Sequence, residues 1–166
     1  MKKHKTGSKK RGFSLIELLI VVAIILIIAA IAIPNLLRSR IAANEASAVG
    51  SIRTLNTAEI TFNTTYPTVG FTNLVDLGPV SGGGSPTSTA AGLIDANLAD
   101  GVKSGYNFTV TASGGTPATN YQSTAAPVTP GTTGQRYFCS DSSGVIQYNA
   151  TQATGATCAS GSNTPI

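Results

Sequence analysis

Few side chains in this chain of 166 residues could do chemistry, and their positions restrict what that chemistry can be. Glu17 places a carboxylate near the start of a long apolar run. Charges in such surroundings are rare and costly, so an acid there reads as functional by default. Just before it stands the junction Gly12-Phe13, where a glycine leaves the backbone open beside a large aromatic side chain. Two cysteines, Cys139 and Cys158, offer a disulfide or a pair of thiols. The single histidine is His4, so neither a Ser-His nor a Cys-His arrangement can be assembled from residues beyond position 12. Without a further soft ligand the two thiols also make a poor zinc site. Ser81-Gly82-Gly83-Gly84-Ser85 is glycine-rich but lacks the lysine of a phosphate loop, and reads as a linker. Asp76, Asp95, Asp100 and Asp141 are scattered and read as solvated surface acids.

The element that must position Glu17 is a helix. Sixteen consecutive apolar residues run from Leu18 to Ile33, and Phe13 to Ile33 is interrupted only by Ser14 and Glu17. At about 1.5 Å per residue that stretch would cover roughly 32 Å, the thickness of a bilayer core. An ordinary secretory signal would have a shorter apolar region of about 7–15 residues followed by its cleavage site. A plain single-pass anchor accounts for the length but for neither Glu17 nor the Gly-Phe junction. Pro34 follows at once, removing a helical hydrogen bond and introducing a kink. Beyond it Leu37, Ile41, Ala48, Ile52, Leu55, Phe62 and Tyr66 recur at helical spacings, one apolar stripe on a polar helix. Glu45 and Glu59 interrupt the heptad positions, which argues against a clean coiled coil, and Pro67 closes the pattern. The expectation is one helix from Phe13 to Tyr66, apolar all round in its first half and with one face to cover in its second.

Charge is divided unevenly. Of the eleven basic residues, Lys2, Lys3, Lys5, Lys9, Lys10 and Arg11 lie before Gly12; the remainder carries five basic side chains against seven acidic ones. A general nucleic-acid-binding surface is therefore not supported. The basic N-terminus instead holds that end in the cytoplasm and sends the rest outward. On that exported side a disulfide between Cys139 and Cys158 is the natural reading, closing a loop of about 20 residues and stabilising by about 3 kcal/mol. Two free thiols are the alternative.

Residues 67–104 read as a connecting region, with Thr89 to Ala99 as a short helix stopped by Gly101. Strand signals follow. Tyr106, Phe108 and Val110 alternate with polar residues; a further strand is expected near Tyr121 to Ala126. Arg136–Cys139 and Val145–Tyr148 flank Asp141-Ser142-Ser143-Gly144 as a hairpin. The fold class is α+β: a long N-terminal helix packed on a small antiparallel sheet of three or four strands. The length beyond position 12 leaves room for one modest core.

Gly12, Phe13, Glu17, the basic leader, the apolar run and Pro34 together closely resemble a type IV prepilin or a pseudopilin of type II secretion. The resemblance covers the first 55 or so residues well and the rest loosely. It implies that a prepilin peptidase cuts after Gly12 and N-methylates Phe13. It also implies that Glu17 meets the terminal amine of a neighbouring copy in a filament, and that the helix loosens at Pro34 on packing; a static kink there is equally compatible. The implied organisation is a cleaved leader at 1–12, an apolar assembly half of the helix at 13–34, an amphipathic half at 35–66, the connection at 67–104 and a sheet head with its disulfide loop at 105–166. Expected partners are further copies of the chain, the peptidase, an assembly ATPase and an inner-membrane platform, with no cofactor and no catalysis. The chain would rest in the inner membrane and then join an extracellular pilus. Three readings stand: a pilus subunit, a pseudopilin, or a membrane-tethered binding or enzymatic domain. The absence of tryptophan, usual near the end of major pseudopilins, and the cysteine loop favour the first.

Overall fold

The computed structural model describes residues 12–150, 158 and 164–166. The expected basic leader at 1–11 and most of the C-terminal loop lie outside the described residues. The chain divides into two compact units, one ending at Arg38 and one spanning Ser39–Ile166.

The first unit is helical from Leu15 onward, and helix α1 as a whole runs Leu15–Thr65. It starts two residues later than the apolar pattern suggests because of a local cap. The backbone N–H of Ser14 donates to Glu17 Oε2 at 2.9 Å, and Leu18 N–H closes the first turn on the Ser14 carbonyl at 3.2 Å. A serine three residues before a glutamate is the sequence of a capping box, and the N–H-to-glutamate half of that box is formed. Pro34 sits inside the helix, which continues through it; having no N–H, it leaves the Ala30 carbonyl without its helical donor. In this unit the apolar side chains face outward: Phe13 is 77% exposed, Leu15 76% and Ile33 65%.

In the second unit the helix buries one face. Ala48, Ile52, Leu55, Ala58 and Phe62 enter a core with Leu74, Leu77, Ile94, Leu98, Tyr106, Phe108, Val110, Tyr121, Ala125, Phe138 and Ile146. Each fully buried Leu, Ile or Phe contributes about 1.5–3 kcal/mol. The helix ends where Pro67 can supply no N–H. Val69 and Gly70 then turn back on the Tyr66 carbonyl, with Gly70 at φ +84°. That left-handed backbone suits glycine, and a side chain there would strike the Ala118 backbone.

Among the described residues the sheet has six antiparallel strands in chain order, two more than the upper expectation: β1 Val102–Lys103, β2 Tyr106–Ser113, β3 Asn120–Pro127, β4 Tyr137–Asp141, β5 Gln147–Asn149 and β6 Thr164–Pro165. Pairing sets Phe108 opposite Ala125, Ser123 opposite Ser140 and Phe138 opposite Tyr148. Along β2 the buried residues Tyr106, Phe108 and Val110 alternate with exposed ones, the pattern that the sequence carries. The β4–β5 turn is tied by Asp141, whose side chain accepts from Ser143 N–H at 2.9 Å and whose carbonyl accepts from Gly144 N–H at 2.9 Å. The helix expected over Thr89 to Ala99 shrinks to α2, Ala96–Ala99. Gly92 takes φ +67°, and Asp95 caps the helix by accepting from Leu98 N–H at 3.1 Å, so helix begins only after it.

Candidate functional site: the N-terminal junction and the helix it opens

Gly12, Phe13 and Ser14 precede the helix as exposed backbone, and among the described residues no neighbouring atom crowds Gly12. The scissile position expected from the sequence thus stands just ahead of the first helical hydrogen bond. Glu17 lies one turn into the helix, exposed, with its carboxylate held at the Ser14 N–H. That capping contact was legible in Ser14-x-x-Glu17, but the apolar run around it draws attention to Glu17 as a buried-charge problem instead. Downstream, α1 is long and apolar enough to cross a membrane by length and composition.

Of the remaining sites singled out by sequence, Cys139 and Cys158 are joined in a disulfide, and both cysteines are buried. Among the described residues no group of three or more His, Cys, Asp or Glu side chains could hold a metal ion. A groove of about 330 Å³ is lined by Arg53, Thr54, Thr57, Ala58, Thr61 and Leu93. The hydroxyls of Thr54, Thr57 and Thr61 donate to carbonyls of their own helix, which leaves Arg53 as the one charged group there. It holds no convergent set of acid, base and nucleophile.

Sequence reasoning passed over two acids that the fold buries. Glu45 Oε1 accepts from the backbone N–H groups of Gln135 at 2.9 Å and Arg136 at 3.2 Å, and Oε2 takes Arg136 Nε at 2.7 Å and Nη2 at 2.6 Å. The Arg136 guanidinium also lies over the rings of Phe138 and Tyr148, 5.5 and 5.3 Å from their centroids. Tyr106 donates its hydroxyl to the Arg136 carbonyl at 2.9 Å, and burial raises its pKa. Glu59, with no exposed surface, accepts from Thr72 N–H at 3.1 Å. Burial pushes its carboxyl up to about 7 against the lowering effect of that bond, and the Asp76 carboxylate adds to the rise. Between these two acids Asn56 Nδ2 donates to Ser140 Oγ at 2.8 Å, and Ser123 Oγ donates to the Ser140 carbonyl at 3.3 Å. The buried face of the helix is therefore partly polar, with Glu45, Asn56 and Glu59 each bonded to the sheet or a loop. At the surface a hydrogen bond from Lys103 lowers the pKa of Asp95.

Two comparisons bear on the N-terminal junction. Residues 7–33 match the family model described as the prokaryotic N-terminal methylation motif. The type IV major pilin protein PilA of Myxococcus xanthus (strain DK1622) is 44% identical over 62 residues, which is 37% of this chain and 28% of that protein. The match thus spans less than a third of that relative's length. No solved structure matches. Junction, capped apolar helix, family motif and relative agree: the N-terminal region of this chain carries the N-terminal methylation motif and is similar to that of a type IV major pilin.

Proposed function

We propose that this chain is the structural subunit of a type IV pilus, cut after Gly12 and N-methylated on Phe13 by a prepilin peptidase, then polymerised through its apolar helix. The observation that carries this reading is the methylation motif at 7–33, which ends within the half of α1 whose apolar side chains face outward all round. Such a helix half needs lipid or other helices about it. The basic leader keeps the N-terminus cytoplasmic, so the subunit waits in the inner membrane with its head outside. An assembly ATPase and a membrane platform then transfer it to an extracellular filament. The role is structural, without catalysis.

Lipid is as apolar as a neighbouring helix, so covering Leu and Ile side chains does not by itself favour the filament over the membrane. Glu17 supplies the difference. Its carboxylate is expensive in an apolar bundle, as is the ammonium of a newly exposed Phe13, and each is the other's nearest remedy. An incoming copy satisfies both at one axial stagger, which sets the register. Pro34 is the place where a filament can unwind the helix at least cost, because one hydrogen bond is already missing there.

A pseudopilin of type II secretion shares the junction and the helix. The absence of tryptophan and the Cys139–Cys158 bridge favour the pilus subunit. Replacing Gly12 with leucine is expected to leave uncut precursor in the membrane fraction, read as a retained leader by immunoblot or mass. Normal processing of that variant would remove the cleavage reading.

A further inference from the structure

Glu59 is a buried titratable group that neither membrane anchoring nor polymerisation uses. Its side chain is 0% exposed, and Oε2 accepts from Thr72 N–H. Oε1 has no hydrogen-bond partner among the described residues, and neither has the buried hydroxyl of Tyr121 on β3. Thr72 in turn donates its hydroxyl to Asp76 Oδ2 at 2.7 Å, setting a second carboxylate beside the first. Three charged or titratable groups therefore meet: Glu59 from α1, Asp76 from the segment after it, and Tyr121 from the sheet. The segment is anchored at its ends by Val69 and Gly70 on the Tyr66 carbonyl and by Ala91 N–H on the Asp76 carbonyl, with Leu74 in the core. Phe71 N–H donates to the Ala118 carbonyl at 3.1 Å, Ala118 N–H donates to the Val69 carbonyl at 2.9 Å, and the Phe71 ring packs on Tyr121 at 4.8 Å.

We propose that Glu59 is a protonation switch of the head, whose neutral carboxyl keeps residues 69–76 closed between α1 and β3 and whose ionised form opens that segment to water. A neutral carboxyl has a proton to donate from its unpartnered oxygen and adds no charge beside Asp76. An ionised one loses the donor, faces Asp76 as a like charge, and is wholly buried near Tyr121, whose own hydroxyl is pushed up to about 12 by burial, by Glu59 itself and by Asp141. Opening the segment hydrates the carboxylate and relieves both costs. The inference concerns the head alone and does not rest on the N-terminal reading.

The direction with pH follows from linkage. The closed-state pKa, about 7, lies above the ordinary 4.5, so closure is strongest below pH 4.5 and weakens as pH rises through 7, levelling off above it. No histidine lies beyond residue 4 to mimic this window. The test is amide hydrogen exchange of the full chain in detergent micelles, corrected for intrinsic rates, at Phe71 and Thr72. Between pH 5 and pH 8 the fraction open should rise on the order of fiftyfold in the parent and stay flat in Glu59→Gln. A flat parent profile, or a rise that survives in Glu59→Gln, would overturn the proposal. Should that variant fail to fold, a carbon-13 titration of the Glu59 carboxyl in the parent decides: a midpoint near 7 supports the switch, and one near 4.5 overturns it.

Discussion

Glu17 has one task seen in the structure and a second that is proposed, and one pair of substitutions distinguishes them. Its carboxylate caps the helix through the Ser14 N–H, and its charge is the proposed partner of a neighbouring amine. Glutamine keeps the cap, since it serves in a capping box, but discards the charge. If charge pairing sets the register, Glu17→Gln and Glu17→Ala should both be cleaved yet yield few filaments by electron microscopy of sheared fractions. Abundant normal filaments from either would refute the register role. At this scale legibility was uneven. Glu17 stood out because its neighbours in sequence are apolar. Glu45 and Glu59 read only as interruptions of a heptad, because the groups that justify their burial lie far along the chain: Arg136 is 91 positions from Glu45, and Thr72 is 13 from Glu59. A buried acid is recognisable by its partners, and those come together only in the fold.

Among the elements, the long helix and the central strands were legible because their periods differ and both repeat several times. The apolar stripe from Ile41 to Phe62 faces the core, and β2 alternates as written. The two-residue strands β1 and β6 carry no period, so they escape any pattern argument and the sheet was undercounted. Helix α2 was overextended because Leu93, Ile94 and Leu98 have helical spacing although Gly92 and Asp95 break the backbone before it. How the helix is fastened to the sheet region was not legible at all. Glu45 clamps the approach to β4 by taking two backbone donors as well as the Arg136 guanidinium. Arg136 is 44% exposed, so solvent screens much of the ionic share, and most of the effect rests on the two N–H groups. Glu45→Ala should lower the stability of the head by about 2–4 kcal/mol in denaturant unfolding at unchanged m-value. A loss within about 0.5 kcal/mol would mean that water replaces the clamp without cost.

Taken whole, the molecule separates its tasks along the chain. The unit ending at Arg38 displays apolar side chains suited to lipid or to its own copies, and the unit from Ser39 folds a core of its own, bound by an antiparallel sheet and a disulfide. The α+β class was legible from composition and period alone, whereas the loops that complete the head depend on long-range contacts. The central claim, a processed and exported subunit, is tested most directly by the intact mass of the protein from the sheared surface fraction of its native cells. The expected species begins at N-methylated Phe13, is two hydrogens light for the Cys139–Cys158 bond, and is abundant there. The same mass confined to membranes would point to a pseudopilin or a minor subunit, and a chain still beginning at Met1 would contradict the account.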